Sequence, residues 1–115
     1  MTPALRGPIV VVTGLPGAGK SSLAGRLRDA LGLALFSLDT LKEAVVDGLG
    51  PAVPEDRFAV RLAAREAVVR LVRDNPRGCL VDIWINPVRD DSGFADALRG
   101  IDGARFAEVV CRVPV

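Results

Sequence analysis

Residues 10–23 read VVVTGLPGAGKSSL. Three valines and a threonine run into a glycine-rich turn, and a lysine with two serines opens the next segment. Extended to PIVVVT (8–13), the apolar run has the length and β-branching of a parallel strand buried on both faces. From Lys20 to Leu31, KSSLAGRLRDAL sets Leu23, Leu27 and Leu31 at helical spacing, and Gly32 supplies a stop. Strand, glycine loop and helix thus follow in sequence. The loop, Gly14-Leu15-Pro16-Gly17-Ala18-Gly19-Lys20-Ser21, fits G-x-x-x-x-G-K-[ST] throughout.

Each residue type in that loop has a physical reason. Glycines permit backbone angles closed to other residues and let the chain approach a ligand closely. Successive N–H groups then face inward as an anion nest, at the positive end of the following helix. The predicted phosphate-holding set is Gly14 to Ser22: Gly14, Leu15, Pro16, Gly17, Ala18, Gly19, Lys20, Ser21 and Ser22. Lys20 reaches the β- and γ-phosphates of a nucleotide, and the Ser21 hydroxyl ligates Mg²⁺. A glycine turn that merely caps a helix is the plainer alternative.

Working outward, the pattern of strand and helix repeats. ALFSL (34–38) is a second short strand, and DTLKEAVVDGL (39–49) a helix with Asp39 at an N-cap position and Glu43 soon after. GPAVPED (50–56) is a Gly/Pro loop, expected to be mobile. Residues 57–74 form the longest helix. Arg57, Arg61, Arg65, Arg70 and Arg73 mark its polar, solvated side, and Phe58, Leu62, Val69 and Val72 lie mostly elsewhere on the wheel. GCLVDIWI (78–85) is a third strand, NPVRDDSGFADALRG (86–100) a loop and short helix, and ARFAEVVCRVPV (104–115) a fourth strand. Alternating strands and helices predict right-handed βαβ units: an α/β protein with a parallel sheet and helices on both faces.

With 115 residues the chain is predicted to form one domain, 1–115. Half its residues are hydrophobic and a quarter charged, an ordinary globular mixture. A formal net charge of +1 supplies no strong field to gather polynucleotide or anionic membrane. Of the fifteen basic residues only Lys20 and Lys42 are lysines. There is no histidine, which excludes Ser-His-Asp and Cys-His mechanisms. Cys79 and Cys111 sit in apolar runs without metal-ligand spacing, as expected of buried thiols in a reducing cytoplasm. No apolar run approaches the ~20 residues of a membrane span, and the N-terminus lacks the pattern of a signal peptide.

Two carboxylates complete the candidate site. In a parallel α/β sheet, ligands gather beyond the carboxyl ends of the strands. Asp39, after the second strand, stands on the same rim as the loop. A carboxylate there can take the proton of a hydroxyl attacking the γ-phosphate, a contribution of roughly 10²–10⁴-fold. It also fits a helix N-cap, and the two roles do not exclude each other. Asp82 ends the apolar run GCLVD and fits the position of a carboxylate that holds Mg²⁺ directly or through water. Beyond it, WINPVRDD is expected to line an acceptor pocket, with Trp84 in a packing role.

GLPGAGKSSLAGRL, FSLDTLKEAV and LVDIWINP together resemble the small P-loop kinases of the polynucleotide-kinase, chloramphenicol-phosphotransferase and zeta-toxin type. Similar Walker A proteins are also named AAA-family ATPases. The resemblance spans essentially the whole chain. It implies a three-layer P-loop NTPase fold, strand order 2-3-1-4-5 with the loop strand central, and ATP with Mg²⁺ as the phosphate source. It also implies Asp39 as the base that orients the acceptor hydroxyl, and Asp82 as the carboxylate beside the loop.

The chain departs from that pattern at its end. Such kinases continue past the fourth strand into a lid helix bearing arginines and a fifth strand. Here the sequence stops at CRVPV, so the expected sheet is 2-3-1-4, and no residue matches the lid arginines. Arginines of that kind are worth ~10³–10⁵-fold in related phosphoryl transfers. The expectation is a kinase-like domain that binds better than it catalyses: a C-terminally truncated fragment, a remnant that only binds, or a subunit whose lid comes from a partner chain. An apolar edge on its fourth strand would invite self-association.

Two readings follow. One is an ATP-dependent kinase with a small-molecule hydroxyl as acceptor, a polynucleotide acceptor being disfavoured by the near-neutral charge. The other is a nucleotide-binding protein without phosphotransfer. A GTPase switch lacks its N-K-x-D guanine motif here.

Overall fold

The computed structural model describes residues 6–14, 19–83, 92–101 and 103–111. Among these residues are four strands and four helices, alternating except for two consecutive helices between the second and third strands. They are β1 (Pro8–Gly14), α1 (Lys20–Leu31), β2 (Ala34–Ser37), α2 (Leu38–Leu49), α3 (Arg57–Arg73), β3 (Cys79–Asp82), α4 (Ser92–Arg99) and β4 (Arg105–Cys111). All pairings are parallel, as the alternation of strands and helices predicts, and the strand order is β2-β3-β1-β4, as the resemblance implies.

The valine run explains why β1 is central. Val11 and Val12 are both fully buried although they face opposite sides of the sheet. On one side α2, α3 and α4 cover Ile9, Val11, Val81 and Cys79 together with Val68, Val72 and Leu98. On the other, α1 covers Val12 and Leu80 through Ala24, with Leu23 and Leu27 half-buried beside them. Each fully buried Val, Leu or Ile contributes about 1.5–3 kcal/mol of burial energy. The three layers are thus helix, sheet, helix. Arg6 adds a tie at the base: its Nη2 donates to the Val72 carbonyl at 2.8 Å and the Arg73 carbonyl at 3.1 Å, satisfying the end of α3.

Several sequence expectations need correction. Leu31 is half exposed rather than part of the α1 contact face, because the helix ends there at Gly32, in the left-handed conformation. The 50–56 loop contains a 3-10 turn at Gly50–Ala52. The larger correction concerns α3. Its packed side is Val60, Ala64, Val68, Val69 and Val72, and Arg61 is buried with them. Phe58 and Leu62 face outward, at 56% and 47% exposure. Small side chains make up that packed side, and Arg61, one residue after Val60, is carried inward with it. Arg65 follows, half-buried, its guanidinium 5.1 Å from the centroid of the Phe94 ring on α4. The arginine stripe is therefore not wholly a solvated face.

Cys79 is fully buried, and burial pushes its thiol up to about 11 against a small opposing effect of Arg6. Cys111 is only half-buried at the end of β4. No helix among the described residues is long and apolar enough to cross a membrane.

Candidate functional site

Register brings the predicted residues to one rim. Ser37, the last residue of β2, pairs with Asp82, the last of β3, and Asp82 pairs with Val12 of β1. Two residues further along β1 is Gly14, the first glycine of the loop, opposite Cys111 of β4. A Cβ at Gly14 would stand 2.5 Å from the Cys111 carbonyl oxygen. The glycine is required there by the close approach of two backbones. Leu15, Pro16, Gly17 and Ala18 lie outside the described residues, as does the WINPVRDD stretch from Trp84 onward.

The loop re-enters the described structure at Gly19, which caps α1 with φ 84° and ψ 16°. That left-handed conformation favours glycine. Among the described residues no side chain caps α1, and its first turn carries no acidic residue. Its positive end is thus left to an anion. Ser21 and Ser22 are exposed in this first turn. Lys20, by contrast, is buried, and its Nζ lies 3.1 Å from Asp82 Oδ1, with the two side chains 10% and 7% exposed. The angles at this contact are not those of a hydrogen bond, so Asp82 Oδ1 is enclosed with a charge partner but without a donor. A buried carboxylate oxygen in that state fits a Mg²⁺ ion, or water held by one.

Asp39 sits differently from expectation. The N-cap of α2 is Ser37, whose Oγ accepts from the Thr40 N–H at 3.4 Å. Asp39 falls within the first turn, 68% exposed, and its Oδ1 lies 3.1 Å from Lys42 Nζ. The cap is thus made by another residue, and the Asp39 carboxylate faces solvent on the rim. Exposed ion pairs of this sort are worth only ~0–1 kcal/mol, so Lys42 leaves Asp39 available. Lys42 was not singled out from the sequence, although its i, i+3 spacing from Asp39 was the readable signal. The chain's two lysines therefore each pair with one of the two rim carboxylates.

The chain matches no sequence-family profile and no curated protein sequence. Its structure does match solved ones. A protein of Chloroflexus aurantiacus, provisionally assigned as a kinase, superposes with a TM-score of 0.74 at 22% identity, over 95% of this chain and 61% of its own. The APS kinase of Mycobacterium tuberculosis superposes at 0.62 with 23% identity, over 96% of this chain and 82% of its own. A gluconokinase from Sinorhizobium meliloti gives 0.54 and 22%, over 92% and 58%. The neighbours are kinases of the P-loop NTPase kind, and this chain has the three-layer P-loop fold. It spans about three fifths of the length of the Chloroflexus protein.

Proposed function

We propose that this chain is the nucleotide-binding part of a phosphotransferase that moves the γ-phosphate of Mg²⁺-ATP to a hydroxyl of a small molecule. The carrying observation is the enclosed Lys20–Asp82 pair at the foot of a helix whose positive end no described side chain caps. Structural likeness to P-loop kinases supports the same reading.

In this reading the loop from Gly14 to Ser22 cradles the phosphates. Lys20 exchanges its hold on Asp82 for the β- and γ-phosphate oxygens, a swap of one anionic partner for another. Asp82 and the Ser21 hydroxyl would hold Mg²⁺, which when bound would neutralise charge on the phosphates. Asp39 accepts the proton of the attacking hydroxyl. The hydroxyl oxygen forms the new bond to the γ-phosphorus, the bond to the β–γ bridging oxygen breaks, and ADP leaves.

Calorimetric titration of the 115-residue chain with ATP, with and without Mg²⁺, tests the first half. Binding that is weakened by Lys20→Ala and by chelating Mg²⁺ supports it; a folded chain that binds no nucleotide sinks it. Transfer of labelled γ-phosphate to hydroxylated small molecules tests the second half. Mg²⁺-ATP binding without transfer to any acceptor would make the chain a nucleotide-binding protein instead.

A further inference from the structure

Between α2 and the first turns of α3 lies a cavity of about 570 Å³. Small-molecule sites run from roughly 300 to 1,000 Å³. The described residues of its wall mix donors and acceptors: Lys42, Arg57 and Arg61 bring N–H groups, Glu43 and Asp47 bring carboxylate oxygens. Phe58 adds an aromatic wall, and this ring is the most exposed large hydrophobic group among the described residues. The cavity adjoins the rim, because Lys42 both lines it and lies 3.1 Å from Asp39.

We infer that this cavity is the acceptor subsite and that the acceptor is an uncharged ring polyol. The inference rests on the phosphotransferase reading above and names its substrate class. Every hydroxyl is both a donor and an acceptor, so a ring polyol can donate hydrogen bonds to Glu43 and Asp47 and accept them from Lys42 and Arg57. Hydrogen bonds with one charged partner are the strong ones, and the wall offers both polarities: three cations, of which Lys42 is already paired with Asp39, stand with the carboxylates of Glu43 and Asp47. The C–H face of the ring would cover Phe58, removing apolar surface from water on both partners. A polyanion would set its phosphates against Glu43 and Asp47. A wholly apolar ligand would strip water from at least four charged groups and replace none of their hydrogen bonds. The reacting hydroxyl, at the Lys42 end, faces Asp39. Its oxygen bonds to the γ-phosphorus, its proton passes to Asp39, and ADP departs with the former bridging oxygen.

Binding can be read without catalysis. Saturation-transfer NMR on the 115-residue chain, loaded with Mg²⁺ and a non-hydrolysable ATP analogue, would be run with five probes. These are myo-inositol, methyl α-glucopyranoside, glucuronate, glucose 6-phosphate and a 5′-hydroxyl trinucleotide. The expected result is contact with a neutral ring polyol that Phe58→Ala weakens at least tenfold. Asp47→Asn should weaken it severalfold, and neither variant should move nucleotide affinity more than twofold. Phe58 is exposed, so its removal does not threaten the fold. No contact with either neutral probe, stronger contact with a charged one, or indifference to Phe58→Ala overturns the inference. Polyol binding without phosphate transfer would instead count against the kinase reading, and phosphorylation of the trinucleotide alone would keep that reading and sink the polyol.

Discussion

Lys20 Nζ stands 3.1 Å from Asp82 Oδ1, in a contact that leaves the two side chains 10% and 7% exposed. Sixty-two residues apart in sequence, they meet because β1 and β3 are parallel neighbours and α1 begins where the loop after β1 ends. Removing one member of a buried pair leaves an uncompensated charge, at a cost of about 3–5 kcal/mol.

Lys20→Met is therefore expected to lower the melting temperature by ~10 °C or more as well as to abolish ATP binding. The double variant Lys20→Met with Asp82→Leu should recover most of the stability and none of the binding. Thermal unfolding paired with calorimetry separates the two effects. A single variant as stable as the parent would show that the pair carries no structural weight.

Asp39 is exposed and its helix is capped by Ser37, so its carboxylate is not needed for the fold. Asp39→Asn should leave the melting temperature within about 2 °C and ATP affinity nearly unchanged, while phosphate transfer falls roughly 10²–10⁴-fold. Turnover equal to the parent's would remove Asp39 from the mechanism.

The Cys79 thiol is raised from 9.0 to about 11 by burial. The neutral thiol is favoured in the folded state. Its contribution is complete below pH 9 and is lost as pH rises from about 9 towards 11, where the unfolded thiol ionises first. Stability measured by denaturant titration should fall across that window, and Cys79→Ala should flatten the fall. At pH 8, a maleimide should modify half-buried Cys111 well before Cys79. Equal rates would mean that the β3 core opens readily.

Gly14→Ala would drive a methyl group to 2.5 Å from the Cys111 carbonyl oxygen, a backbone atom held by strand pairing. Overpacking of this kind costs typically ~1–3 kcal/mol. Thermal unfolding should show that loss even without nucleotide, because the clash is between strands. An unchanged melting temperature would mean β4 can shift away from β1 freely.

Much of this protein could be read locally. VVVT, the glycine loop, KSSL and Gly32 each specify their own backbone, and alternating strands and helices left few topologies open. The parallel sheet and the positions of Lys20, Asp39 and Asp82 on one rim followed from those local signals. The cap of α2 did not, because Ser37 and Asp39 are both good caps and a shift of two residues separates them. Nor did the facing of α3. Periodicity shows that a helix has two sides, while the choice between them is made by what packs against it. Packing of α3 buried Val60 and Ala64 with Arg61 beside them and left Phe58 to form a cavity wall with α2. By itself the sequence indicated the α/β class, the parallel sheet and the end of it that carries the glycine loop, because these follow from short-range backbone preference and burial, while the strand order came from the resemblance to P-loop kinases. Only the tertiary structure decided which charges pair and where a cavity opens between α2 and α3. Those depend on distances between elements far apart in the chain, and no local preference encodes them.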